Sequence, residues 1–229
     1  MAELAVLPLL SDANLVAYWK LEDVADSKGT NTLTNNNTVT FTGAKYNNGA
    51  NFGTGNTNKS LTQASNLGIN GGSISLFGWV RMQTDIAAGG DVMFFQQANA
   101  TSDVNFQVRY NGDPRVISFR RDKANVGAQD VTGTITLGTD SFYHVGLTYD
   151  TTNVIGYING VPQGTTAASG DGNTSTTNGF SIGANVESSA VFASIWADDV
   201  YVFNRAINQA EVLTLVTDGG FMNTNRGYW

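Results

Sequence analysis

Apolar and polar positions alternate with a period of two through much of this chain, most clearly from Phe142 to Gly164. There Tyr143, Val145, Leu147 and Tyr149 fall on one face and His144, Gly146 and Thr148 on the other, the pattern of a half-buried strand. The chain then reverses through Asp150 to Asn153, and a second apolar run ends at Asn159-Gly160, two residues that tolerate the positive φ of a tight hairpin turn. Two core strands and two turns are predicted here, with no catalytic pattern on them.

The same reading extends along the chain. Leu15 to Glu22 is predicted as a central strand, rich in aromatic and β-branched residues. From Val24 to Asn58 single apolar residues at Leu33, Val39, Phe41, Tyr46 and Phe52 stand between glycines, the spacing of short strands joined by tight turns. Ser73 to Met82 carries bulk on both faces and is expected to lie deep. Further strands are expected at 91–98, 103–110, 115–121, 130–137, 180–184 and 191–203, with a turn at Asn111-Gly112-Asp113-Pro114 and a polar loop at 167–178. One helix is predicted, late in the chain, with Asn208 as N-cap, Glu211 closing a capping box and Gly219 as its stop. Many short strands and one helix predict an all-β sandwich.

Composition narrows the function classes. At 229 residues the chain fits one large all-β domain and buries roughly 70% of its unfolded surface. Cys is absent, which removes thiol catalysis and thiolate metal sites. A net charge of -7 with 12 Lys plus Arg spread thinly argues against nucleic acid as a partner. Only 14% of residues are charged, so the surface passes to Asn, Thr, Ser and Gly. The first ten residues carry no positive charge and are interrupted by Pro8, so they are not read as a secretory signal, and no stretch approaches a membrane span.

Six segments in order resemble the LamG-like jelly-roll family, also called concanavalin A-like lectin/glucanase domains. They are Leu15 to Glu22 with Ala25 to Gly29, Asn48 to Gly53, Ser73 to Val80, Phe142 to Asp150, Tyr157 to Gly160, and Ala197 to Ile207 with Glu211. The chain departs from the family at Phe142 and Asn159, where Trp and Asp are usual. The resemblance implies a two-sheet antiparallel jelly-roll sandwich with one short C-terminal helix over residues 14–218, flanked by an extension at 1–13 and a tail at 219–229. Such domains serve glycan or protein recognition, and some relatives are glycosidases.

Glycosidic cleavage needs a pair of carboxylates flanking the bond, which this fold's glycosidases place in an E-x-D-x-x-E pattern. None of Glu3, Glu22, Glu187 or Glu211 begins one. His144 has no Ser or Cys motif beside it and is expected to be a structural imidazole bonded to backbone. Catalysis is therefore not expected.

The resemblance implies a Ca2+ site in which Asp198 supplies a carboxylate and carbonyls near Glu22 and Gly49 complete a shell of hard oxygens; the alternative is an Asp198 solvated or paired with Arg205. Asp171 to Ser175 alternates oxygen ligands but lacks a closing acid and reads as a polar turn. For a glycan, aromatic stacking with adjacent amides points to Tyr110 beside Asn111, to Trp196 and to Tyr201, each also suited to plain core.

The ends carry Leu4, Val6, Leu7, Leu9 and Leu10 before the domain and Phe221, Met222, Tyr228 and Trp229 after it. These apolar groups are expected to dock on another subunit, as in a homo-oligomer or larger assembly, or on the chain's own sandwich. The function expected is a non-catalytic recognition or structural module of a virion or cell-surface assembly, located on the virion or the extracellular surface. The alternative is a glycan-active enzyme with a degenerate motif.

Overall fold

The alternating stretches form strands of two antiparallel sheets packed as a sandwich. The computed structural model describes residues 7–55, 58–69, 72–85, 90–98, 104–123, 127–168, 179–185 and 192–224. Sheet I runs in the order β13 (Val161–Ala167), β12 (Asn153–Ile158), β11 (Tyr143–Tyr149), β6 (Ile74–Met82), β15 (Ile195–Phe203), β4 (Asn48–Asn51) and β3 (Thr40–Gly43), with β1 (Leu15–Trp19) also paired to β15. Sheet II runs β10 (Gly127–Thr132), β9 (Arg115–Lys123), β8 (Val104–Gly112), β7 (Asp91–Ala98), β14 (Gly179–Ile182), β5 (Ser60–Gln63) and β2 (Thr34–Asn36). The chain crosses between the sheets after β1, β2, β4, β5, β6, β10, β13 and β14, which is jelly-roll connectivity.

The inward faces interdigitate into one core. Tyr149, Val145 and Leu147 of β11 meet Phe106, Val108 and Tyr110 of β8 and Phe119 of β9 there. The described residues between Val24 and Asn58 form short strands as anticipated: Leu33 and Val39 are buried, Phe52 is fully so, and Phe41 packs against the same core. The turn at Asn159 and Gly160 has φ of 49° and 78°, as its sequence predicts.

A second, smaller core lies on the outer face of sheet I. Leu9 and Leu10 of the short helix α1 (Leu7–Leu10) and Val212 and Leu215 of α2 (Gln209–Thr224) cover Tyr18, Phe77, Tyr157, Tyr201 and Phe203. Leu9 thus docks on the chain's own sandwich, the second of the two placements expected for the N-terminal apolar residues. Leu4, Val6, Tyr228 and Trp229, the side chains of Leu7, Phe221 and Met222, and the segment 171–175 lie outside the described residues.

Asn208 and Glu211 cap α2 reciprocally: the Asn208 backbone N–H donates to Glu211 Oε2 at 2.7 Å and the Glu211 N–H to Asn208 Oδ1 at 3.1 Å. Arg205 bridges Glu211 and Asp12, each at 2.6 Å, and so ties the N-terminal segment to the helix.

Several boundaries differ from the sequence reading, among them the first strand, which ends at Trp19, and the last, which starts at Ile195. Helix α2 does not stop at Gly219 but runs to Thr224; an interior glycine costs a helix only about 1 kcal/mol, too little by itself to end one. Val161–Ala167, left without a strand assignment, is the edge strand β13, which the hairpin turn delivers to β12 although its residues are mostly exposed. The strand placed at 130–137 is β10 at Gly127–Thr132, set by its pairing with β9.

Candidate functional site

The four aromatic and amide positions singled out for a glycan separate in the fold. Tyr110 alternates with Phe106 and Val108 and is 1% exposed in the main core. Tyr201 stacks on Tyr18 with ring centroids 4.3 Å and planes 7° apart, beneath the helices. Neither presents a face to a ligand, so both assignments are corrected to core. Asn111 lies on the outer face of sheet II, and Trp196 is partly exposed on the outer face of sheet I.

The outer face of sheet II is built from polar residues. On β8 the polar members of the alternation, Asn105, Gln107, Arg109 and Asn111, point away from the core that holds Phe106, Val108 and Tyr110. The cross-strand registers align Thr34, Thr62, Ser181, Gln96, Gln107, Arg120 and Asp130 into one row that crosses every strand of the sheet. The centre of the row is enclosed, with Ser181 and Gln96 at 0% and Gln107 at 2% exposure. Its ends, Thr34 on one side and Arg120 with Asp130 on the other, are more open.

Beside this row the face has unmet hydrogen-bonding capacity. Asn105 Oδ1, Asn111 Oδ1, Arg109 Nε and Ser118 Oγ are buried and meet no partner. Asn105 and Ser118 belong to residues at 0% and 2% exposure, and a buried polar atom left unpaired costs about 1–3 kcal/mol. The unmet set holds acceptors, a donor and a hydroxyl that is both, which is complementary to the hydroxyl groups of a neutral polyol. At its β9–β10 edge Arg120 holds Asp130 in a two-point ion pair of 2.8 and 2.9 Å, and burial, with Asp130 nearby, pushes the Asp122 carboxyl up. None of this face except Asn111 was singled out from the sequence. The strict alternation in Val104-Asn-Phe-Gln-Val-Arg-Tyr-Asn111 was the available signal.

Asp198 sits on the outer face of sheet I. A bulge at Asp199, with φ of 45°, lets Ala197 and Val200 both enter the core while Asp198 and Asp199 stay on the outer side. Asp198 is fully buried; its Oδ2 accepts the Tyr46 N–H at 2.8 Å. A Cβ on Gly49 would lie 2.7 Å from the Ala197 carbonyl oxygen and 3.3 Å from Asp198 Cγ, so only glycine allows this approach. Glu22 reaches the same turn through Asn47, whose Nδ2 donates to Glu22 Oε1 at 3.4 Å. The residues named for a metal therefore lie around one turn, while Arg205, the alternative partner of Asp198, is engaged with Asp12 and Glu211. Among the described residues no three His, Cys, Asp or Glu side chains gather as a metal site. The donors available around Asp198 are a carboxylate and backbone oxygens, a set that fits a hard cation such as Ca2+.

Further along the same face the Arg81 guanidinium lies 5.1 Å from the Phe142 ring and 5.4 Å from the Trp196 ring. Lys45 Nζ stands 4.3 Å from the centre of the Trp79 ring. His144 is fully buried between Phe77 and Trp79, and neither ring nitrogen has a hydrogen-bond partner, so the expected bond to backbone is absent and ring stacking holds the imidazole instead. Desolvation lowers its pKa to about 3. No described helix is long and apolar enough to cross a membrane.

A family model described as the concanavalin A-like lectin/glucanases superfamily matches residues 52–213. Comparison with curated proteins by sequence returns no match. Among solved structures, domain 4 of AbnA, a GH43 extracellular arabinanase from Geobacillus stearothermophilus in complex with arabinotriose, superposes with a TM-score of 0.69 at 18% identity, covering 90% of this chain and all of that one. The binding domain of botulinum neurotoxin DC in complex with SialylT gives a TM-score of 0.68 at 12% identity over 90% of this chain and 52% of that one. A Trypanosoma rangeli sialidase in complex with a difluoro-KDN ligand gives 0.68 at 16% identity over 94% and 34%. At these identities the likeness is one of fold.

Proposed function

The chain belongs to the concanavalin A-like lectin/glucanase superfamily, and from that premise we propose that it is a non-catalytic glycan-recognition module that binds neutral oligosaccharides on the outer face of sheet II. The observation that carries this reading is the polar row from Thr34 to Asp130, open at its two ends and flanked by the unmet atoms of the partly exposed Arg109 and Asn111. Sugar hydroxyls both donate and accept, so one class of ligand relieves both kinds of unmet group. Two fold neighbours are complexes, one with arabinotriose and one with SialylT, which supports the reading by analogy of fold.

Calorimetry against a panel of neutral oligosaccharides tests it. A panel member binds the wild type, and Asn111→Ala or Thr34→Ala, at positions that are not enclosed, weakens it about 3- to 10-fold, the worth of one hydrogen bond. Absence of binding across the panel, or binding indifferent to both substitutions in folded protein, overturns it.

The proposal extends to setting: display on a virion or extracellular surface, with the amide- and hydroxyl-rich exterior facing the glycan. Asp198, with carbonyls near Glu22 and Gly49, is proposed to hold Ca2+, which when bound supplies a fixed positive charge that anchors the β4 turn to β15.

A second reading, a glycan-active enzyme, is favoured by one feature. Asp122 and Asp130 are neighbours on the outer face of sheet II; the first is held toward its protonated form while the second is paired with Arg120. Sugar release by the wild type, lost in Asp122→Asn with binding retained, would establish it.

A further inference from the structure

The patch around Arg81 differs chemically from the face of sheet II. Trp79 and Arg81 are alternate residues of β6 and point to the same side, about 7 Å apart along the strand. Trp79 is 4% exposed, and its indole N–H is buried with no acceptor. The Arg81 Nε–H is likewise buried without one. Lys45 adds an ammonium group over Trp79 at 4.3 Å. The groups that Trp79, Arg81 and Lys45 present here are donors or cations.

Arg81 and Lys45 contrast with the arginines that pair with a carboxylate. Arg109, Arg115, Arg120 and Arg205 each form an ion pair with an Asp or Glu. No ion pair joins Arg81 or Lys45 to a described residue, although the chain carries a net charge of -7. Asp198, the carboxylate on the same face, accepts the Tyr46 N–H and packs toward Gly49. Phe142 and Trp196 flank the Arg81 guanidinium, which fixes the side chain by cation–π contact and leaves its N–H edge to meet a ligand.

We infer that Arg81, set between Phe142 and Trp196 with Lys45 and Trp79 beside it, is a second binding site that takes the oxyanion of an acidic sugar. The guanidinium edge donates to a carboxylate or sulfate, and the partly exposed Trp196 ring lies against the sugar's C–H face. A carboxylate and a sulfate ester share the chemistry that these donors select. This site lies on sheet I and is independent of the neutral-glycan face on sheet II.

Calorimetry with trigalacturonic acid, a sulfated trisaccharide and a neutral trisaccharide tests the inference on the full chain. At least one acidic ligand binds, more tightly at low than at high salt, and Arg81→Ala weakens it about tenfold or more, as loss of a charge-assisted hydrogen bond requires. Arg81→Gln keeps the length of the side chain without its charge and gives the same loss, which keeps the test valid if the alanine variant folds poorly. Which acidic ligand responds identifies carboxylate or sulfate as the group bound. Asn111→Ala leaves acidic-sugar binding unchanged, so failure of the sheet II reading and failure of this one are separate results. Acidic ligands that do not bind, or that bind regardless of both Arg81 variants, overturn the inference, as does equal loss of neutral and acidic binding in Arg81→Gln.

Discussion

His144 lies parallel to Phe77, with ring centroids 5.5 Å apart and 6° between their planes. The contact buries the imidazole completely, and both ring nitrogens lack a partner that would stabilise charge.

Stability therefore depends on pH through His144. Its folded pKa is lowered to about 3, below the unfolded value of 6.5, so the unfolded chain takes up the proton first and stability falls as pH drops below 6.5. Between pH 6.5 and 5 the loss is about 2 kcal/mol. Asp12 and Glu211, whose pKa values are lowered, hold their contribution until the carboxylate range is reached, and Asp122, raised by burial, changes in the opposite sense near that range. Urea unfolding at the two pH values shows the drop in wild type and a nearly flat response in His144→Leu. An equal drop in both assigns the pH dependence elsewhere.

Asn208→Ala removes one arm of the cap on α2 and costs about 1 kcal/mol in thermal unfolding. Glu211→Ala costs more, since Glu211 is both the other arm of the cap and a partner of Arg205 at 2.6 Å. In a double-mutant cycle the two substitutions are non-additive, because each disrupts the same reciprocal pair. Strict additivity contradicts a shared cap.

The Tyr18 hydroxyl donates to Asp199 Oδ1 at 2.6 Å in the second core. Tyr18→Phe leaves the ring stack on Tyr201 intact but strips a buried carboxylate of that donor, for a loss of about 2 kcal/mol. A melting temperature unchanged from wild type would show that Asp199 is stabilised without it.

Calcium occupancy at Asp198 appears as a melting temperature that rises with added Ca2+ and falls with chelator, because an ion bound only to the folded state stabilises it by mass action. Asp198→Asn removes the dependence. A wild type insensitive to both additions excludes the site.

How much was legible depends on how local the signal is. The strand β11 announces itself because Tyr143, Val145, Leu147 and Tyr149 pack as a set on the inter-sheet core, and the α2 start is written in Asn208 and Glu211. The end of α2 was missed at Gly219, where the residue's cost is too small to stop a helix. Tyr201 was taken for a ligand-stacking residue since alternation separates two faces of a strand but does not say that helices from both chain ends cover one of them. Tyr110 was the avoidable miss: Phe106 and Val108 share its face, and that face is core. The polar row on sheet II takes one residue from each of its strands, from Thr34 to Asp130, so no window of sequence contains it.

The row also gives the molecule a ruler. It crosses six inter-strand gaps, a span of about 29 Å at the spacing of paired strands, and it runs across the strands, not along one. On the proposed glycan reading the open ends of the row, Thr34 at one side and Arg120 with Asp130 at the other, lie nearly that far apart, so only a saccharide long enough to reach both engages them together. On that reading short fragments hold one end and leave, and preference for polymer over debris follows from the width of a sheet.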